Sequence, residues 1–137
     1  MPWAIVDTSI YIDHWERGLY DEALSTVRRT FVVRQSSVVL SELRRGARTP
    51  EARRLVDALF KLARVQWAPI DADLVAGRPG RATVGDAQKW DLHKRRAFQN
   101  DVLIALTARR YGATVVTANR NDFDLLHGEL GVAVLPV

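Results

Sequence analysis

Ala4-Ile5-Val6-Asp7-Thr8-Ser9 is the stretch whose reading decides the fold of this chain. Three consecutive apolar residues, not alternating with polar ones, suit a strand covered on both faces, as in a parallel sheet between helices. Asp7 closes the run, and two hydroxyl residues follow it at once. The first buried strand is therefore expected over residues 3–7. A helix should run from Ser9 to about Gly18, with Tyr11, Ile12, Trp15 and Leu19 roughly along one side.

Outward from that stretch, strand and helix signals alternate. A second helix is expected over 20–30, and Phe31-Val32-Val33 begins a strand. Ser37 to Arg45 suits a helix stopped by Gly46. Thr49-Pro50-Glu51 supplies a capping hydroxyl, a proline in the first turn and an acid at the positive end of the dipole, so a helix should run from there to about Arg64. Leu55, Leu59 and Leu62 repeat on its apolar side, with Arg53, Asp57, Lys61 and Arg64 on the solvated one. A strand over 65–70 follows. Gly77, Pro79, Gly80 and Gly85 interrupt the next stretch, which reads as a short helix, a loop and then a helix over 86–97. A helix over 101–111 is apolar nearly all round. Strand 114–117, helix 121–127 and strand 132–135 complete the pattern. The fold class is α/β: a three-layer α/β/α sandwich around a central parallel sheet of four or five strands.

The 137 residues and the apolar fraction of 47% fit one domain, residues 1–137, with a single sizeable core. No run approaches a membrane span. Met1-Pro2-Trp3 leads into the first strand with neither a basic region nor a cleavable apolar segment, and there are no cysteines. Both features predict a cytoplasmic protein, without disulfides or thiolate metal sites. The net charge of +4 comes from 20 basic and 16 acidic residues. If several acids are sequestered in one cleft, the remaining surface is more basic than the total and favours a polyanion. A mildly basic soluble protein explains the same number equally well.

Four of those acids sit beside apolar runs: Asp7, Glu42, Asp101 and Asp122. In parallel sheets, ligands collect beyond the carboxyl ends of the strands. Asp7 ends the first strand, Asp101 opens a buried helix, and Asp122 follows Thr114-Val115-Val116-Thr117 by a short turn. Glu42 must arrive from within its helix. Gathered carboxylates repel one another, and hard Mg²⁺ or Mn²⁺ relieves that repulsion; Zn²⁺ more often recruits His or Cys. His14, His93 and His127 show no zinc-ligand spacing. The set points to metal-dependent phosphodiester cleavage by activated water. Each acid also has an ordinary use: Asp7 and Asp101 as helix caps, Glu42 paired with Arg45, Asp122 in reciprocal capping with Asn119. All four in register on one α/β chain favour the shared site.

These residues carry a family resemblance spanning essentially the whole length. Ile5-Val6-Asp7-Thr8-Ser9, Val39-Leu40-Ser41-Glu42-Leu43-Arg44-Arg45-Gly46, Asn100-Asp101-Val102-Leu103-Ile104-Ala105 and Val116-Thr117-Ala118-Asn119-Arg120-Asn121-Asp122-Phe123 resemble, in order and spacing, the PIN domain, and within it the VapC-type toxins of toxin–antitoxin pairs. The resemblance implies Asp7, Glu42, Asp101 and Asp122 as metal-binding acids. Thr117 and Asn119 would organise the site, and Thr8 and Ser9 would help hold Asp7. It further implies a Mg²⁺- or Mn²⁺-dependent endoribonuclease of a type II system that cuts single-stranded or loop RNA. It also implies a homodimer and a small cognate antitoxin that binds promoter DNA. The interruption between Asp71 and Gln99 departs from the family pattern.

For RNA, Arg44, Arg45 and Arg48, with Lys94, Arg95 and Arg96, are the candidate contacts, or simply solvated helix faces. Trp15, Leu19, Leu59 and Phe60 are candidates for an antitoxin groove, or for core packing. A receiver domain would need a lysine after a late strand, and none follows Lys94. A haloacid-dehalogenase-like phosphatase needs an aspartate where Ser9 stands. A non-catalytic PIN-fold partner in a DNA-binding regulatory complex with its antitoxin stays open.

Overall fold

A computed structural model of the chain describes residues 1–61, 64–65 and 92–137. The elements are β1 (Trp3–Val6), α1 (Thr8–Arg17), α2 (Asp21–Thr30), β2 (Val32–Ser36), α3 (Ser37–Gly46), α4 (Pro50–Phe60), β3 (Arg64–Val65), α5 (Leu92–Arg110), β4 (Thr114–Thr117), α6 (Arg120–Leu130) and β5 (Val134–Pro136). Among the described residues, the five strands form one sheet in the order β3-β2-β1-β4-β5. All four pairings are parallel. Ala4, Ile5 and Val6 stand opposite Thr114, Val115 and Val116.

Neighbouring residues on a strand face opposite sides of a sheet, so burial of consecutive residues means that both sides are covered. Ala4, Ile5 and Val6 are buried in succession, as are Val115 and Val116. That continuity is the expected α/β/α sandwich. Ile10 and Leu24 from α1 and α2, Val39 and Leu43 from α3, Ile104 and Leu106 from α5, and Phe123 and Leu126 from α6 complete the core.

Several boundaries differ from those read in the sequence. α4 stops at Phe60 because Arg64 and Val65 pair with Gln35 and Ser36 as β3. The larger correction is α5, expected as two helices with a break before Asp101 and found as one from Leu92 to Arg110. No glycine or proline lies within it, and Asn and Asp cost a helix only tenths of a kcal/mol each. Burial of Phe98, Val102, Ile104, Ala105, Leu106 and Ala108 outweighs that. α6 passes through Gly128 and ends at Gly131, whose φ of 68° supplies the left-handed cap. The expectations over 66–91 (the rest of the third strand, the short helix and loop, and the start of helix 86–97) lie outside the described residues, as does Leu62.

Candidate functional site at the switch point of the sheet

Chain order reverses direction in the sheet at β1: β2 and β3 are laid down on one side of it, and β4 and β5 on the other. Such a reversal opens a crevice beyond the carboxyl ends of the two central strands. Asp7 follows β1 immediately, and Thr117 ends β4 in the adjacent position. The Asp7 amide donates to Val116 O at 2.9 Å, fixing the end of β1 to β4.

Asp7 is both a helix cap and part of the cluster. Its Oδ1 accepts the Thr8 amide at 2.8 Å, and its Oδ2 accepts the hydroxyls of Ser9 at 3.0 Å and Thr117 at 2.9 Å. The Thr117 hydroxyl in turn accepts the Asn119 amide at 2.9 Å. Asn119 Nδ2 lies 3.3 Å from Asp101 Oδ2 and 3.0 Å from Asp122 Oδ2, so one amide group spans two carboxylates. On the other side of Asp7, the Thr8 hydroxyl donates to Glu42 Oε1 at 2.9 Å. Asn100 Nδ2 is 3.5 Å from Glu42 Oε2. All four acids thus belong to one hydrogen-bonded network, although they come from four different elements.

The electrostatics follow from that gathering. Burial pushes Asp101 up from the ordinary carboxylate value to about 9, and the charges of Asp7, Asp122 and Glu42, with a hydrogen bond to Asp122, push the same way. Burial also raises Asp7; bonds from Thr117, Ser9 and Thr8 oppose the rise, and the charge of Asp122 adds to it. Burial raises the half-buried Glu42, opposed by Thr8, by Asn100 and by the field of Arg45, while Asp7 adds to the rise. Like charges held in a desolvated crevice favour a proton or a cation. Among the described residues, no three acid or histidine side chains form a ready-made metal-holding group. The donor chemistry nevertheless fits a hard divalent cation, because it consists of carboxylates steadied by neutral hydroxyl and amide donors.

Some local assignments change. Asp101 lies in the middle of α5 and caps nothing. Asn119 occupies the cap position of α6 without a side-chain bond to the helix amides, and its side chain spans the acids instead. Ser9 gives its hydroxyl to Asp7, whereas Thr8 gives its amide to Asp7 and its hydroxyl to Glu42. Asn100 was not among the expected supporting residues. Its position beside Asp101 was the available signal, obscured by reading the pair as a helix start.

Among the candidate RNA contacts, Arg44 stacks its guanidinium over Phe60 at 3.8 Å and lies 3.6 Å from Asp57, bracing α3 to α4. Arg45 and Arg48 are exposed. Lys94, Arg95 and Arg96 fall in α5, with side chains outside the described residues, as does that of His93. His14 and His127 are bonded to the backbone oxygens of Leu19 and Val132. A groove of about 480 Å³ runs between α1, α3 and α4, with Ile12, Trp15, Leu43, Leu55 and Val56 on its walls and Glu42 and Arg48 at its margin. Of the groove candidates, Trp15 lines it, Leu59 and Phe60 pack against the core, and Leu19 is exposed.

A parallel sheet with a knot of acids at its switch point defines the class: an α/β fold with an acidic crevice beyond its central strands. The PIN domain model matches residues 4–127, and the chain belongs to the PIN domain family. Solved structures agree in fold. A chain of VapBC2 from Rickettsia felis, bound to a DNA fragment from their promoter, matches at a TM-score of 0.69 and 19% identity, over 98% of each chain. VapBC-1 from nontypeable Haemophilus influenzae matches at 0.69 and 18%, over 98% of this chain and 97% of that one. VapBC-5 from Mycobacterium tuberculosis, a member of the VapBC family of toxin–antitoxin systems, matches at 0.61 and 23%, over 100% of both. No curated protein matches. Among the described residues, no helix is long and apolar enough to cross a membrane.

Proposed function

We propose that this chain is a Mg²⁺- or Mn²⁺-dependent endoribonuclease, acting in the cytoplasm as the VapC-type toxin of a type II toxin–antitoxin pair. The observation that carries the reading is the single network joining Asp7, Glu42, Asp101 and Asp122 at the switch point. These four residues would hold the cation. Bound there, Mg²⁺ or Mn²⁺ would compensate the clustered charge and supply the activation of water that phosphodiester hydrolysis to a 5′-phosphate and a 3′-hydroxyl needs.

The chain's own residues divide the remaining work. Asp7 is held in one orientation by Ser9 and Thr117, and Asp101 and Asp122 share the Asn119 amide. Glu42, the most exposed of the four, would complete the cation-holding set. Arg45 and Arg48, beside it on the surface, suit the backbone of a single-stranded RNA, with Lys94, Arg95 and Arg96 as a second set. The groove lined by Trp15 suits the apolar side of an antitoxin helix. An antitoxin partner is supported by the VapC resemblance and by the toxin–antitoxin structures that share the fold; a homodimeric toxin rests on the resemblance alone.

The test is cleavage of a labelled single-stranded RNA with Mg²⁺, Mn²⁺ or EDTA. Cleavage requires the cation and falls by at least ~100-fold in Asp7→Asn, which keeps the fold. Wild-type cleavage by that variant removes Asp7 from the mechanism. The R. felis complex was captured on promoter DNA, which favours a second reading, a non-catalytic partner in a DNA-binding complex. That reading predicts no cleavage with either cation and tighter promoter binding by antitoxin when this chain is added.

A further inference from the structure

Glu42 is held by two residues from outside its own helix, and both are chain neighbours of other acids in the site. Thr8 adjoins Asp7; its amide bonds Asp7 Oδ1 at 2.8 Å while its hydroxyl bonds Glu42 Oε1 at 2.9 Å. Asn100 adjoins Asp101, and its Nδ2 reaches Glu42 Oε2 at 3.5 Å. The pairs Asp7-Thr8 and Asn100-Asp101 therefore each supply one acid to the site and one donor to the same third acid. The two donors take different oxygens of that carboxylate, one each.

A glutamate on a helix surface has three rotatable bonds, and repulsion from Asp7 would drive a free one outward along the margin of the neighbouring groove. Binding both oxygens removes that freedom at a site where misplacement of an acid by about 1 Å costs orders of magnitude in rate. We propose that Thr8 and Asn100 are positioning residues that clamp the Glu42 carboxylate against the Asp7–Asp101 pair, so that Glu42 acts as a fixed member of the cation-holding set. This rests on the nuclease reading above. The clamp has unequal arms: the short Thr8 bond carries most of the restraint, and the Asn100 contact at 3.5 Å is the weaker arm.

The experiment compares wild type, Thr8→Val, Thr8→Ser and Asn100→Leu by Mn²⁺ titration calorimetry and by RNA cleavage kinetics. Valine keeps the shape of threonine and removes only the hydroxyl. The expected result is Mn²⁺ affinity weakened about tenfold in Thr8→Val and less in Asn100→Leu, with kcat lowered and KM for RNA unchanged. Thr8→Ser restores most of the affinity. A role confined to holding the fold would lower the melting temperature of Thr8→Val without moving Mn²⁺ affinity, and that outcome overturns the clamp. Variants equal to wild type in both affinity and kcat also overturn it, leaving the nuclease reading in place. A wild-type protein that neither binds Mn²⁺ nor cleaves RNA overturns both.

Discussion

Replacing Asp101 by asparagine should stabilise the cation-free protein while abolishing its proposed activity. Asp101 is 9% exposed, and burial with three acid neighbours lifts its pKa from 3.8 to about 9. In the unfolded chain it ionises near the ordinary value, so the folded state holds a proton that the unfolded state gives up. The associated stability is complete below pH ~4 and is lost as the pH rises towards ~9. At pH 7, about three units above the unfolded value, the loss is on the order of 4 kcal/mol. The substituted asparagine mimics the protonated carboxyl: it can accept from Asn119 and donate towards Asp122 without needing a proton. For a chain of this size the gain corresponds to a melting temperature higher by on the order of 10 °C. The assay is thermal unfolding followed by circular dichroism in EDTA at pH 5.5 and 7.5. Wild type melts lower at pH 7.5 than at 5.5; Asp101→Asn melts higher than wild type at pH 7.5, with a shallower pH dependence. Some dependence persists, because Asp7 and Glu42 are raised in the same direction. Added Mn²⁺ raises the wild-type midpoint by mass action and the variant's much less. A variant less stable than wild type at pH 7.5, together with wild-type stability that is flat or rising over this range, refutes the argument.

Two further outcomes test the surroundings of the site. Thr117→Val preserves shape at a fully buried position but removes a donor from Asp7 and an acceptor from the Asn119 amide. It should cost ~1–3 kcal/mol in urea unfolding, and a change under ~0.5 kcal/mol would show that the network bears little weight. Reversing the charge of Arg45 and Arg48 together should weaken binding of single-stranded RNA and make the slope of log K against log salt shallower by about 1.4, at ~0.7 per lost phosphate contact; an unchanged slope places the RNA elsewhere.

Much of this was legible because the informative signals were local. An unbroken Ala4-Ile5-Val6 run suits a strand with two covered faces, and Thr49-Pro50-Glu51 carries the cap, first-turn proline and acid that favour a helix start. The family motifs named the four acids together. Asp101 was misplaced within its helix because Asn-Asp is a good cap on local grounds, while its role in a continuous α5 depends on packing against the sheet. The end of α4 was misjudged for a similar reason: Arg64 suits a helix by propensity, and pairing with β2 decided otherwise.

The residue types were set by the sequence alone: four carboxylates, the hydroxyls and amides beside them, and an alternating pattern that implies a parallel sheet between helices; the strand order that puts a switch point at β1 came from the tertiary structure. Tertiary structure decided which donor serves which acid. Thr117 lies 110 residues from Asp7, Asn100 58 from Glu42, and Thr8 34 from Glu42. Bonds across such separations are set by the direction of side chains leaving different elements, and one residue of register or a fraction of a helical turn reassigns them. Sequence specifies the chemistry of a carboxylate; its orientation, and hence its affinity for protons and cations, comes from the packed elements that hold it in place.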